Sequence, residues 1–265
     1  MMNLFQQIDE ALNTKEPQRK IALTYQIFFD WRNGLLQIEH DSPVKPFAEA
    51  GRPDRPELVL PKALLRRKVT TEEGRAILIH ALTHIEFNAI NLALDAAYRF
   101  RNLPDEFYAD WITIAKEEAY HFSLLRAHLQ QYGHDYGDFP AHNGLWEMAQ
   151  RTAGDVMTRM ALVPRSLEAR GLDVTPGIQK KLSDNGDANA ATLLDVIFRD
   201  EVGHVAVGDR WFRYVCKQRG VNAEQTYQEL LQYHKDAQPH PPIHHAARIA
   251  AGFSESELKY LETAF

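Results

Sequence analysis

The sequence predicts an all-α protein, a four-helix bundle with additional helices at its N- and C-terminal ends. Three observations predict it. Apolar residues recur at steps of three and four through four long stretches, the period of a helix with one buried face. Strand-like alternation never runs convincingly beyond four residues. Two tetrads of one form, Glu118-Ala119-Tyr120-His121 and Glu201-Val202-Gly203-His204, fall inside two of those apolar stripes.

Taken in order, residues 3–12 and 18–38 read as two helices. The second carries Ile21, Tyr25, Phe28, Phe29, Trp31 and Leu35, enough apolar surface to need a docking partner. Residues 42–61 contain Pro43, Pro46, Pro53, Pro56 and Pro61, which exclude a continuous helix. That stretch is a covering segment or a linker, and the apolar helices on either side favour a cover within one domain.

Thr70 or Thr71 is placed to cap the first core helix, which runs to about Phe100. Its stripe is Ile79, Leu82, Glu86, Ile90, Ala93 and Ala97. Pro104 and Asp105 precede the second core helix, about 105–132, with the stripe Trp111, Ile114, Glu118, His121, Phe122, Leu125 and Leu129. Residues 133–142 read as a loop. The third core helix is expected over 143–170, kinked at Pro164 and ended by Gly171. A turn-rich break, GLDVTPG, then leads to a short helix at 175–183 and a second loop. The fourth core helix spans about 187–219 with Leu194, Ile197, Phe198, Glu201, His204, Val205 and Gly208 in phase. Its Gly203 and Gly208 are sites for close approach by a neighbouring helix or a small substrate. The tail predicts helices near 223–235 and 254–263. The organisation expected is one domain over 1–265. It has a bundle core at about 70–219, N-terminal helices and the Pro-rich cover over 1–69, and a C-terminal helical extension over 220–265.

Composition narrows the function classes. The chain has 265 residues, within reach of one large core. Its 45% apolar and 25% charged content is that of a soluble globular protein. A net charge of −6 gives no global basic signature for nucleic acid. Cys216 stands alone, so neither an intramolecular disulfide nor a thiolate cluster can form, which fits a cytoplasmic setting. The opening MMNLFQQIDEALNTKEPQRK lacks the pattern of a signal peptide. The most apolar helical stretch, 76–97, is interrupted by His80, His84, Glu86, Asn88, Asn91 and Asp95 and reads as too polar to span a membrane.

On a helix, residues three apart share a face, so each Glu-x-x-His pair aims a carboxylate and an imidazole at one point. One such pair is usually a solvated helix face. Here each follows a solitary glutamate in an apolar run, Glu86 before the first and Glu168 before the second. The repeat is close: Glu86 to Glu168 is 82 positions, Glu118 to Glu201 is 83, and His121 to His204 is 83. Burying a carboxylate alone costs several kcal/mol, so a glutamate in a core stripe calls for a metal, a partner or a proton. Four carboxylates and two imidazoles can hold two metal ions. Nitrogen and oxygen donors without thiolate suit iron or manganese, and zinc less specifically. The expected ligands are Glu86, Glu118 and His121 mainly for one ion, and Glu168, Glu201 and His204 mainly for the other. Four negative charges match two divalent ions.

Other polar groups have plainer readings. His80 and His84 lie off the Glu86 phase and read as packing or hydrogen-bonding residues. His240, His244 and His245 read as loop decoration, the methionines of the third helix as core filler, and Tyr120 as pointing away from the ligands. The basic run Lys62, Arg66, Arg67 and Lys68 reads as a solvated face before a nucleic-acid footprint.

The segments HALTHIEFNAI, DWITIAKEEAYHF, YGDFPAHNGLWE, RMALVPRSLEARGLDVTP and IFRDEVGHVAVGDRWF closely resemble a bacterial ferritin-like family known only as a domain of unknown function, over about residues 50–216. The resemblance implies a ferritin-like four-helix core and a di-iron site at Glu86, Glu118, His121, Glu168, Glu201 and His204, with no activity attached. More distantly the pattern is similar to the tRNA-modifying non-haem di-iron hydroxylase and to rubrerythrins. The bundle class implies that Glu118 and Glu201 bridge the ions. It also implies that the acid before each tetrad holds the opposite histidine, Asp200 to His121 and Glu117 to His204. Three functions follow from these expectations. One is an O2-dependent oxidoreductase or hydroxylase with an unknown small-molecule or macromolecular substrate, tRNA being a weakly supported special case, and a separate reductase as external electron donor. The second is a ferroxidase or peroxide scavenger. The third is a non-enzymatic metal-stabilised scaffold.

Overall fold

A computed structural model describes residues 2–45, 49–64 and 68–265, and among these the chain is mostly helical. It divides into two compact units, Met1–Glu147 and Met148–Phe265.

Unit 1 opens with α1, Leu4–Asn13, capped by the Asn3 side chain, and α2, Pro17–Arg32, capped by Glu16 with proline at its first position. The expected helix over 18–38 therefore stops six residues early. Asn33 and Gly34 end it, Gly34 at φ +66°, a conformation that a residue with a Cβ adopts at a cost. The freed residues Leu36–Gln37 pair in parallel with Met2–Asn3. The Pro-rich stretch is irregular where described and docks on unit 1. The Lys45 N–H donates to Tyr98 Oη, Gly51 N–H to Leu12 O, and Val59 N–H to Ala141 O. Pro46, Arg66 and Arg67 lie outside the described residues.

The framework of unit 1 is a hairpin of α3, Glu72–Arg99, and α4, Asp105–Gln131. Thr71 caps α3 by accepting from the Gly74 N–H, and Pro104 sets the start of α4. Among the described residues α3 alone is long and apolar enough to cross a membrane, more apolar than the interruptions in its sequence suggest. Its apolar window is mostly buried in protein, and His80, His84, Asn88, Asn91 and Asp95 are buried with it. Core packing accounts for its composition. The next helix, α5, Gly144–Arg151, contains the boundary between the units.

Unit 2 departs most from expectation. The predicted helix over 143–170 is interrupted at residues 152–155, where Asp155 caps a new helix, α6, Val156–Leu162. The chain then passes through a π-helical turn, Val163–Glu168, directly into α7, Ala169–Asp184. Pro164 thus widens the helix instead of only kinking it. Proline has no N–H to donate and its ring clashes with the carbonyl four residues back; a π turn relieves both. Gly171 does not end the helix, and GLDVTPG is helical with Pro176 inside it. Asp173 in that stretch is buried against Arg248, with bonds of 2.9 Å and 2.7 Å, and this pairing outweighs the local turn signals. Three residues later α8, Ala188–Arg219, begins under an Asp187 cap and runs to Gly220. The tail holds α9, Ala223–Tyr233, a short α10, His245–Ala250, that the sequence reading lacked, and α11, Glu255–Thr263, closed by a capping box of Ser254 and Glu257.

Candidate metal centre

In unit 1, Glu86 on α3 and Glu118 on α4 are equidistant from Asn102 at the centre of the hairpin connection, so antiparallel packing sets them at one height. His121 follows one turn on. All three are buried, His121 completely. His121 Nδ1 lies 3.4 Å from Glu86 Oε2 and 3.5 Å from Glu118 Oε2. Candidate ligand atoms of the three fall within 4.8 Å of one another. Burial alone would lower the His121 pKa. Hydrogen bonding and charge from Glu118 and Glu86 outweigh it and push the value up to about 11. The pocket demands positive charge, and without metal a proton supplies it. Trp111, Ile114, Ala115 and Leu125 on α4 are buried and keep its surroundings apolar.

In unit 2, His204 is buried and its Nδ1 lies 3.3 Å from Glu201 Oε1, the same imidazole nitrogen facing a carboxylate as in unit 1. Glu168 is the last residue of the π turn and half-buried. Pro164 meets α8 at Gly208, where a Cβ would stand 2.5 Å from two proline carbons. Four residues on from Pro164 is Glu168, and four back from Gly208 is His204, so the antiparallel register carries Glu168 to the height of His204. Gly208 thus admits a close helix, as its position suggested. Gly203 does not; it is exposed, with nothing near its would-be Cβ. Glu117 and Asp200, immediately before the tetrads, are half-buried, and Asp200 Oδ1 accepts from Arg199 Nε at 3.1 Å.

His80 and His84 follow their packing and hydrogen-bonding readings, while His244 and His245, read as loop decoration, cap and begin α10. His80 Nε2 accepts from the Gly137 N–H at 3.0 Å. His84 lies 3.0 Å from Tyr136 Oη through Nδ1 and 3.1 Å from His142 O through Nε2, and burial lowers both histidines to about 4. His244 caps α10, and His245 pairs with Glu262 at 2.6 Å. Tyr120 is exposed. Missing from the sequence reading are the buried basic groups Lys20, Arg159, Arg165 and Arg248, of which two matter most here. Lys20 on α2 donates to Ala11 O, Leu12 O and Asn91 Oδ1, closing the end of α1. Arg165 in the π turn pairs with Asp209 and Glu257. Each is a charge set in an apolar helical face, the signal that picked out Glu86.

The donor set fits a metal ion: buried, made of carboxylate and imidazole, with ligand atoms close enough to meet at one point. Fold and cluster define an all-helical protein with a buried glutamate–histidine site able to hold a metal. The chain belongs to the family described as protein of unknown function (DUF455), whose model matches residues 13–259. It is 45% identical over 267 aligned positions to an uncharacterized protein of Haemophilus influenzae, covering 97% of this chain and 93% of that one. No solved structure matches the chain.

Proposed function

We propose that the protein is a di-metal carboxylate protein, with two iron ions as its resident cofactor and manganese as the alternative the same donors accept. The observation that carries this reading is the duplicated half-site: in each unit a helical Glu-x-x-His turns its histidine Nδ1 toward a carboxylate, 83 positions apart. In this reading the two helix pairs form one ferritin-like four-helix domain, with the N-terminal segment and the tail as additions. Glu86, Glu118 and His121 hold mainly one ion, and Glu168, Glu201 and His204 the other, with Glu118 and Glu201 bridging. Asp200 orients His121 and Glu117 orients His204, each fixing the tautomer that leaves Nδ1 for the metal.

The function the geometry supports best is an O2-dependent oxidoreductase or hydroxylase of the cytoplasm. Two ferrous ions supply the electrons for O2 reduction when bound. The chain's part would be to present the carboxylates of Glu86 and Glu118 beside the His121 imidazole and to exclude bulk water with the apolar stripe around Trp111 and Ile114. Glu86, Glu118, His121, Glu168, Glu201 and His204 would hold the ions, and an O2-reactive site would need positions that these six do not fill. Electrons come from a separate reductase, since Cys216 is buried and single.

The test is anaerobic loading with Fe(II) followed by air. The reading expects about two irons per chain, O2 uptake and a ferric absorption band. Loaded protein inert to O2 leaves a scaffold. Rapid turnover of excess Fe(II) or peroxide without organic substrate makes it a ferroxidase or scavenger.

A further inference from the structure

We propose that Arg165 is a positioning residue for Glu168: it clamps the π turn to the C-terminal helices so that the carboxylate meets the ion held by Glu201 and His204. The proposal rests on the two-metal reading above. Arg165 sits inside the turn, three residues before Glu168, with its side chain wholly buried. Its Nε donates to Asp209 Oδ1 at 2.7 Å, and its Nη2 to Glu257 Oε1 on α11. Arg213, itself half-buried, donates to the same two carboxylates at 2.8 Å each, so two cations and two anions balance in one set that is buried except at Arg213. The Arg165 guanidinium also packs over the rings of Tyr227 at 3.9 Å and Phe253 at 4.3 Å.

The backbone of the turn is held as well. Ser166 Oγ donates to Ala161 O at 2.8 Å and lies 3.0 Å from Tyr227 Oη, while Tyr227 Oη donates to Arg165 O at 3.3 Å. One carbonyl of the widened turn, Arg165 O, and one in the last turn of α6 before it, Ala161 O, are therefore served by side chains. On α8 the contacts are consecutive: Gly208 receives Pro164 and Asp209 receives Arg165. A π turn contains one residue more than the α-helix it interrupts. If it relaxed to α geometry, everything beyond would re-phase by one position, about 100° of helix rotation, and Glu168 would leave its face. The clamp prevents that. A buried charge set is a weak source of stability by itself, so holding geometry is the better account of its retention.

The test is anaerobic Co(II) titration, followed by absorption, of wild type, Glu168→Ala, Arg165→Met and Tyr227→Phe, with circular dichroism to check folding. Arg165→Met is expected to weaken one of the two Co(II) ions by roughly 10- to 100-fold and leave the other unchanged, with Tyr227→Phe moving the same ion less. If Arg165→Met does not fold, Tyr227→Phe, which removes one oxygen, decides. Glu168→Ala losing one ion while the folded clamp variants keep both at wild-type affinity overturns this proposal alone. A wild type that takes up no Co(II), or Glu168→Ala retaining both ions, overturns the two-metal reading and this proposal with it.

Discussion

His121 is completely buried, and its Nδ1 faces two carboxylates at 3.4 Å and 3.5 Å. Its metal-free folded pKa, about 11, stands above the ordinary 6.5. A raised histidine gives stability that is fully present below 6.5 and is lost as pH rises through 11. Metal at this nitrogen must displace that proton, so apparent affinity climbs by up to about tenfold per pH unit from this group below its folded pKa. Calorimetric metal titration in buffers of different ionisation enthalpy is expected to report a released proton; buffer-independent heats would contradict the geometry. Lys20 has the opposite sign. Burial lowers it from 10.5 to about 7, so the unfolded chain binds more protons between those values and stability from this group rises with pH. The stability difference between wild type and Lys20→Met is therefore expected to grow from pH 7 to pH 10 in urea denaturation. A difference that shrinks over that range would mean Lys20 stays charged when folded. Glu86 and Glu118 were legible as polar breaks in apolar stripes. Lys20 carried the same signal on the buried face of α2, but its partners, mainly the terminal carbonyls of α1, are marked by no sequence pattern.

At the scale of the elements, α3, α4 and α8 were read to within a residue or two. Each has one sustained apolar stripe and a marked start, a capping side chain for α3 and α8 and Pro104 for α4. The run from α6 to α7 was misread because its punctuation was taken at face value. Pro164, Gly171 and Pro176 are local breakers, and the helix runs on through them: Gly208 receives Pro164, and Arg248 fixes Asp173 beyond Gly171. The two glycines of α8 give a paired prediction. Gly208→Ala places a methyl 2.5 Å from Pro164 and is expected to destabilise by about 1–3 kcal/mol. Gly203→Ala meets open space within a helix and is expected to stabilise by about 0.5–1 kcal/mol. Chemical denaturation decides; equal effects at the two sites would show that the Pro164 contact does not set the spacing of these helices.

For the whole molecule, the helical class and the half-sites were legible because spacing along a helix fixes which side chains meet. The unit boundary inside α5 was not, since no composition shift marks it. Nor was the ion-pair set of Arg165, Asp209, Arg213 and Glu257, whose members lie as far apart as 165 and 257 in sequence. Truncation after Arg219 removes Glu257 and Tyr227 and leaves Arg165 and Arg213 against Asp209 alone. The truncated chain is expected to expose the π turn, read as faster amide exchange across residues 163–169 than in the full chain. Unchanged exchange there would mean that α8 alone holds the turn.

The central claim is that two half-sites, one on each unit, hold two metal ions together. The most direct measurement is iron content after anaerobic Fe(II) loading of wild type, Glu118→Ala and Glu201→Ala, each checked for folding. The account predicts about two irons per chain in wild type and loss of two-metal loading in either variant. Folded variants that keep full wild-type loading would contradict it.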